Sequence, residues 1–242
     1  MGFACLSRRY SNRCRQIEIQ FIKSQISAAH CIHEKKSSYR RLPSHIALFF
    51  GIYDLKQINT STGSSAIAEI SLHPDWDPLA ESYDGDIALL RLKQSVQYSE
   101  QISPICLWSK QDNFGQGTVI SWTDAGEDDP GYWNHKHDPL HNYPNTFDMP
   151  IRSNLQCLTL QPRFVPVASQ RTFCAGGLNS GQCLEIGNSG ASIAAEVDGK
   201  YFLHGIVSAS FIDIAGCDNI TFTLFADVVK FKTWMIEGMA VL

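Results

Sequence analysis

The stretch CLEIGNSGASIAAEVDGKYFLHGIVSAS, from Cys183 to Ser210, combines a chemically notable serine with a strand-like apolar run. Ser189 stands in the run Gly187-Asn188-Ser189-Gly190, and residues 201–207 (YFLHGIV) are rich in aromatic and branched side chains. Short apolar runs bounded by turn-forming residues are typical of β-strands. The stretch therefore raises two questions: whether the whole chain is a β protein, and whether Ser189 is a nucleophile.

The same pattern recurs along the chain and predicts an all-β fold. Further short apolar runs separated by turn signals are IEIQFI (17–22), IALFFG (46–51), DIALLRL (86–92), TVISW (118–122) and TFTLFA (221–226). Only the C-terminus departs from this pattern, where Asp227 is a predicted N-cap of one closing helix over about residues 227–239. The apolar positions of this helix recur at helical spacing: Val228, Phe231, Trp234, Met235 and Met239.

Length and charge narrow the function classes. The chain has 242 residues, of which 44% are hydrophobic, so it can bury a large core, and a single domain over 1–242 is the default expectation. The formal net charge is −4 and no basic stripe is present, which argues against a nucleic-acid partner. No apolar stretch approaches the roughly 20 residues needed to span a bilayer, so no membrane association is expected.

Eight cysteines without zinc-site spacing indicate disulfides in an oxidising compartment, and hence an extracellular protein. The N-terminal residues show no signal peptide, because their apolar run is too short and turns basic at once. His135, His137 and His141 lie in a segment (123–145) rich in Pro, Gly, Asp and Asn. That segment is interpreted as a solvated surface loop. No metal or cofactor is expected.

Three separate blocks supply the groups needed for nucleophilic catalysis by a serine. SAAHC (27–31) provides His30, YDGDIALLRL (83–92) provides Asp86, and GNSGA (187–191) provides Ser189. A serine nucleophile needs a base to take its proton, a carboxylate to orient that base, and backbone donors for the oxyanion. The residue types therefore fit peptide-bond hydrolysis.

These blocks resemble those of the chymotrypsin/trypsin-like serine endopeptidases (peptidase S1 type), and within that family they are most similar to arthropod modular, clip-domain serine proteases. The resemblance extends from about residue 14 to the C-terminus and includes PICLW (104–108), DMPIRSNLQC (148–157), RTFCAGG (171–177), DGKYFLHGIVS (198–208) and FADVVKFKTWM (225–235). It implies two packed six-stranded β-barrels, the first over about 1–108 and the second over about 109–230, with the active site between them.

The resemblance also implies a role for each site residue. His30 would be the general base, Asp86 its orienting carboxylate and Ser189 the nucleophile, with the N–H groups of Gly187 and Ser189 as the oxyanion hole. The implied substrate-binding positions are Gly181 in the specificity pocket and a substrate-pairing strand of Ser208, Ala209 and Ser210. The implied partners are protein or peptide substrates, cascade proteases and serpin-type inhibitors.

The family's disulfide pairings, carried over, are Cys14–Cys31, Cys157–Cys174 and Cys183–Cys217. Cys106 and Cys5 are then left over. Modular relatives tether an upstream propeptide through the position of Cys106. Two alternatives stay open: Cys106 and Cys5 pair with each other, or both form covalent links to a partner.

Two departures from the family pattern concern activation. The family's cleaved Ile-Val-Gly-Gly-like segment and first strand are absent from the sequence as it begins at Met1. The aspartate that would receive the new α-ammonium is replaced by Asn188. A neutral amide fits the lack of an ammonium partner, because an unpaired buried carboxylate would be strongly unfavourable. The oxyanion loop must then form without that ion pair.

Further departures concern the specificity pocket. Four residues separate Cys183 from Asn188 where the family has two, and no acidic residue stands near Gly181, so a trypsin-like preference for Arg or Lys is not supported. Three hypotheses stay open from the sequence. In the first, the chain is an active serine endopeptidase of an extracellular cascade. In the second, it is a catalytically silent homologue that binds proteins through the cleft that holds the active site in the family. In the third, it is a truncated product of a longer protein.

Overall fold

The protein is built almost entirely from antiparallel β-sheet. The computed structural model describes residues 22–58, 64–107, 115–122, 143–177, 184, 187–211 and 222–240. The predicted all-β class and the predicted C-terminal helix are both confirmed. The predicted strand at 17–22 lies outside the described residues, apart from Ile22.

The N-terminal half contributes a four-stranded antiparallel sheet in the order β1-β4-β3-β2. Its core consists of branched aliphatic side chains on the inner face, such as Ile67 on β3 and Leu90 on β4. The buried residues of β3, Ile67 and Ile70, are three positions apart, because the pairing with β4 shifts register between Ile67 and Glu69. The strands are β1 (Ile22–Ser27), β2 (Ala47–Leu48), β3 (Ser65–Leu72) and β4 (Ala88–Val96).

The C-terminal half forms a closed barrel of six antiparallel strands. The pairing runs β11-β8-β7-β6-β9-β10, and β10 pairs with β11 to close the ring. A further short strand, β5 (Cys106–Leu107), adds to β10 in parallel. The barrel strands are β6 (Gln116–Ser121), β7 (Asn145–Arg152), β8 (Thr172–Gly176), β9 (Ser192–Val197), β10 (Lys200–Ser210) and β11 (Phe222–Asp227).

Close packing inside this barrel depends on a glycine. A Cβ built on Gly205 of β10 would lie 2.7 Å from two ring carbons of Phe173, so any side chain there would displace that ring. Phe173 in turn stacks on Phe225 of β11, with ring centroids 5.2 Å apart. The barrel interior is thus filled with side chains and forms a core.

The C-terminal helix, α2 (Val228–Ala240), closes the molecule where the two halves meet. Asp227 caps it, because its Oδ1 accepts the Val229 N–H (3.0 Å), as the sequence predicted. Phe231 and the other buried residues of α2 share one core cluster with Ala28 and Ile87 of the first half and Leu203 and Ile206 of β10. The helix therefore fixes the two halves relative to each other.

A second helix, α1 (Asn154–Leu160), corrects the expectation of helix only at the C-terminus. The Ser153 hydroxyl oxygen accepts the Gln156 N–H (3.2 Å) and caps it. Cys157 on α1 forms a disulfide with Cys174 of β8, so the short helix is covalently fixed to the barrel. With two turns and a buried face of little more than Cys157, α1 has almost no helical periodicity that a sequence could reveal.

The remaining cysteines give a mixed result. Cys31 carries a free thiol, which departs from the Cys14–Cys31 pairing that the resemblance implied. Cys14 itself lies outside the described residues. Cys106 is disulfide-bonded, with its other half outside the described part of the chain, which favours an internal bond over an outward tether. Cys5, Cys183 and Cys217 also lie outside it.

No helix among the described residues is long and apolar enough to cross a bilayer.

Candidate active site

His30 lies in a single 3₁₀ turn, Ala29–Cys31, that directly follows β1. Ala28 and Ala29 are fully buried, and Ala28 packs in the cluster shared with α2. Small side chains at both positions let the turn enter the junction between the two halves. The turn is closed by the His33 N–H donating to the Ala29 carbonyl (2.8 Å). The His30 ring consequently stands at the edge of this junction.

Asp86 approaches His30 from the loop that precedes β4, and its side chain is fully buried. Its Oδ1 accepts the His30 backbone N–H (2.8 Å), and its Oδ2 accepts the ring Nδ1–H (2.7 Å). The Ser208 hydroxyl of β10 also donates to Oδ2. Three donors therefore surround the carboxylate. They hold the His30 ring in one orientation, with Nδ1 directed at Asp86 and Nε2 on the side of Cys31.

The electrostatics of this pair favour a proton on the imidazole. Burial alone lowers the pKa of His30, but the charge of Asp86 and the hydrogen bond to it outweigh that effect and raise the pKa above its ordinary value. Asp86 has no exposed surface, so water screens the interaction little. The imidazolium form that develops when His30 accepts a proton is thus stabilised.

The Ser189 loop is shaped by glycines. Gly187 and Gly190 have φ values of 111° and 81°, which lie in the left-handed region that favours glycine. Asn188 between them is fully buried, and Ser189 is half-buried. The Gly190 N–H donates to the Val207 carbonyl (3.0 Å), which attaches the loop to β10 one residue before Ser208.

Close backbone contact brings this loop against the His30 turn. A Cβ built on Gly190 would lie 2.6 Å from Ser27 Oγ and 3.3 Å from Cys31 Sγ. Cys31 Sγ is itself 3.9 Å from His30 Nε2. Gly190, the neighbour of Ser189, thus lies against the turn that carries His30, and the Ser189 hydroxyl makes no hydrogen bond to His30 or to any other part of the chain that the structure describes. Such bonds are often long in ligand-free structures and tighten with substrate.

The predicted substrate-binding residues divide into three groups. Gly181 lies outside the described residues. Ser208 is buried and its hydroxyl donates to Asp86, so its side chain supports the His30–Asp86 pair, while its predicted place in the substrate-pairing strand concerns the main chain and stays a prediction. Ala209 and Ser210 pair with β11 on one edge, and the opposite edge has no strand partner among the described residues.

Two features of the site escaped prediction. Lys35, five residues after His30, reaches the loop before Asp86, and Tyr83 in that loop packs its ring at 5.8 Å and 80° against the His30 ring. Ser208 contacts a carboxylate 122 residues earlier in the chain. No local pattern marks such contacts, because they join segments that meet only after both halves have folded. Metal binding has no support among the described residues, where no group of three potential ligands occurs; His135, His137 and His141 lie outside them.

The comparisons with known proteins agree with this geometry. The family model described as Trypsin matches residues 21–235. Serine protease gd of Drosophila melanogaster is 30% identical to 87% of this chain, coagulation factor XI of Bos taurus is 26% identical to 88%, and vitamin K-dependent protein C of Oryctolagus cuniculus is 28% identical to 87%.

A β protein in two halves, with a buried histidine–aspartate pair where they meet, has the architecture of a chymotrypsin-like serine protease. The chain belongs to the trypsin family of serine proteases. It covers 44%, 31% and 43% of the three relatives' lengths, so it spans less than half of each.

Proposed function

We propose that the chain is a serine endopeptidase in which His30, Asp86 and Ser189 form the catalytic triad. The observation that carries this proposal is the His30–Asp86 hydrogen bond of 2.7 Å, buried beneath Ser208 and adjacent to the Ser189 loop. A fully buried carboxylate that orients an imidazole beside a serine is the arrangement that generates a nucleophilic alkoxide. The family membership supports the same reaction class.

In this reaction His30 Nε2 takes the proton of the Ser189 hydroxyl as Oγ attacks the scissile carbonyl. The imidazolium then gives that proton to the leaving amine, and a water molecule hydrolyses the acyl-enzyme by the same route. Asp86 stays ionised and stabilises the imidazolium. Each step needs the tautomer with Nδ1–H directed at Asp86 Oδ2, which is the tautomer that the hydrogen bond favours.

The oxyanion hole is assigned to the backbone N–H groups of Gly187 and Ser189, which donate to the oxygen of the scissile carbonyl. Within the described part of the chain neither group has a hydrogen-bond acceptor, so both are open to a developing negative charge. The unpaired edge of Ala209 and Ser210 is suited to an extended peptide that adds as a further strand. The substrate class is therefore polypeptide, bound by its main chain.

The setting we propose is an extracellular proteolytic cascade, in which the chain acts on protein substrates and meets cascade proteases and serpin-type inhibitors. The disulfide between Cys157 and Cys174 supports an oxidising compartment. The name of factor XI associates that relative with coagulation, and the name of protein C associates that relative with vitamin K. The similarity of this chain to them is confined to part of the length of each relative.

A second candidate is a catalytically silent homologue that binds proteins through the same cleft. Asn188 favours it, because this position is fully buried and neutral directly before Ser189. Without an ion pair to fix the loop, the Gly187 N–H can turn away from the cleft, and loss of one oxyanion donor lowers the rate by about 10²–10³-fold.

A fluorophosphonate probe distinguishes the two candidates. An endopeptidase forms a covalent adduct at Ser189 that disappears in Ser189→Ala and His30→Ala, while the control His33→Ala keeps it, because the His33 side chain lies outside the His30–Asp86 network. Absence of labelling in folded, disulfide-bonded wild-type protein contradicts the endopeptidase proposal and supports the silent homologue.

A further inference from the structure

The ammonium of Lys35 is enclosed by one loop of the protein. It donates to the backbone carbonyls of Asp77 (3.3 Å), Ala80 (2.7 Å) and Ser82. It also lies 4.6 Å from the ring centroid of Trp76 and 4.8 Å from that of Tyr83. A lysine has three donors, so all are used, and the two aromatic faces add cation–π attraction.

The enclosing loop, residues 76–83, connects β3 to Asp86 and contains no helix or strand. Besides the Lys35 contacts, two backbone hydrogen bonds join it to other segments: the Lys36 N–H donates to the Pro78 carbonyl and the Tyr83 N–H donates to the Val167 carbonyl, both at 2.8 Å. Two more are local turns at its ends, from the Trp76 N–H to the His73 carbonyl (3.0 Å) and from the Asp86 N–H to the Tyr83 carbonyl (3.3 Å). Lacking regular secondary structure, the loop depends on such contacts for a single conformation.

A positive charge has a specific role at the centre of this loop. Three carbonyl dipoles converge on one point there, and without a cation they would repel each other and lack donors. Burial lowers the pKa of Lys35, and the charges of Asp86 and Asp77 counteract that effect. The carbonyls replace the water that the ammonium loses, which offsets its desolvation.

The loop reaches the candidate active site through Tyr83. Its ring lies edge-on against His30, with centroids 5.8 Å apart, and its partly buried hydroxyl has a pKa raised by burial and by the nearby Asp86. Edge-to-face aromatic contacts favour a defined relative orientation. A displacement of the loop would therefore release one side of the His30 ring.

We propose that Lys35 is a positioning residue whose ammonium orders the loop at 76–83, so that Tyr83 packs against His30 and keeps the base in its productive orientation. The effect on catalysis rests on the proposed endopeptidase function, whereas the ordering of the loop does not. Lys35 acts through Tyr83 and does not itself contact the His30–Asp86 pair.

The test uses Lys35→Ala, which removes the ammonium and most of the stem, and Lys35→Met, which keeps a stem but removes the charge. Lys93→Ala is the control, because Lys93 is an exposed lysine on β4. The rate of hydrogen exchange at the amides of residues 36 and 83 reports how well the loop is ordered. The rate of fluorophosphonate labelling of Ser189 reports whether His30 is held in its productive orientation. n-Propylammonium is added as the missing group, and n-propanol as its neutral counterpart.

We expect faster exchange at both amides in both Lys35 variants and labelling slowed by about tenfold to hundredfold, because small misplacements of catalytic groups have effects of that size. n-Propylammonium restores both properties in Lys35→Ala, and n-propanol does not. In Lys35→Met the retained stem blocks rescue, and Lys93→Ala behaves as the wild type.

The proposal is overturned if exchange and labelling stay unchanged in both Lys35 variants. Rescue by n-propanol as effective as that by n-propylammonium also overturns it, because Lys35 would then act only by filling space. A rise of exchange throughout the β8–β11 core without rescue overturns it as well, because the substitution would then have lowered the stability of the whole protein. Should the wild type itself resist labelling, the endopeptidase proposal fails, and exchange at residues 36 and 83 with n-propylammonium rescue decides the role of Lys35 in the loop.

Discussion

Asn188 is fully buried directly before Ser189, and its backbone carbonyl accepts the Ala191 N–H (3.0 Å), so it shapes the turn that presents the serine. An amide can occupy such a site through ordinary hydrogen bonds, whereas a carboxylate there requires a cation. The side chain at position 188 thus decides whether hydrogen bonds or an ion pair stabilise the Ser189 loop.

Asn188→Asp tests this difference at a single position. We expect the variant to unfold with a free energy lower by about 3 kcal/mol at pH 7, since the substitution places a negative charge at a fully buried position that now holds a neutral amide. The loss should shrink at acidic pH, because the protonated acid is neutral. Urea denaturation measures it, with the exposed Gln116→Glu as control. Unchanged stability would show instead that a cation reaches position 188.

The raised pKa of His30 has a consequence for pH dependence. In the proposed triad, His30 accepts the Ser189 proton only in its neutral form, so labelling by the fluorophosphonate should increase with pH and reach half its maximum above pH 6.5, the ordinary pKa of histidine. Asp86→Asn removes the charge that raises this pKa. Its midpoint should shift to lower pH while the maximal rate falls by on the order of 10³-fold or more. A midpoint that does not move would contradict the assignment of Asp86.

At the scale of elements, the site is assembled where the turn after β1 meets the loop before β9. Ser27 ends β1 and Cys31 lies in the 3₁₀ turn, and the backbone of Gly190 packs against the side chains of both. Gly190 is the closest point, because even one added carbon would overlap Ser27 Oγ at 2.6 Å. The approach of the Ser189 loop to the His30 turn therefore depends on a glycine, which has no reactive side chain.

Gly190→Ala should separate the two elements. We expect a stability loss of about 3 kcal/mol or more, from the left-handed backbone and the steric overlap together, along with loss of Ser189 labelling. Gly199→Ala is a matched control, since Gly199 has a similar φ of 72° but nothing within 4 Å of the added carbon. It should lose only about 1 kcal/mol. Equal losses in thermal or urea unfolding would exclude the steric explanation.

At the scale of the whole molecule, Arg171 connects the two halves. It comes directly before β8, and its guanidinium binds Asp84 of the first half through two contacts (2.8 and 2.5 Å) and Asp75 through a third (2.7 Å). It also lies 5.1 Å from the ring centroid of Phe231 on α2. Asp84 is two residues before Asp86, so this cluster holds the segment that carries the orienting carboxylate.

Arg171→Leu should weaken this connection by about 1–2 kcal/mol, a modest value because the acidic partners are partly exposed and screened. The hydrogen bonds from Arg171 lower the pKa of Asp84. A lowered pKa in the folded state contributes stability above the ordinary carboxyl pKa and loses it as pH falls through the folded value. The difference from wild type should therefore shrink below about pH 4 in urea unfolding curves.

Arg91→Leu, which removes an exposed ion pair with Glu69, is the control and should show less effect. A difference that persists at acidic pH would point to lost packing on Phe231 in place of lost charge.

From the amino-acid sequence alone follow five of the strands (β2, β4, β6, β10 and β11), the capped C-terminal helix and the three blocks that contain His30, Asp86 and Ser189. Each of these is a local signal: alternation or apolar runs for strands, helical spacing after Asp227, and a short motif around each site residue. It did not reveal α1, which is too short to show a period, nor the free thiol of Cys31.

The way in which these blocks meet depends on tertiary packing. The engagement of Ser208 by Asp86, the enclosure of Lys35 by a loop some 45 residues away, and the contact of Gly190 with Ser27 join distant segments. Their geometry depends on the packing of both halves around α2, and packing depends on shape and volume across the whole core. A motif therefore identifies which residues can react, whereas the folded packing sets their distances and their pKa values.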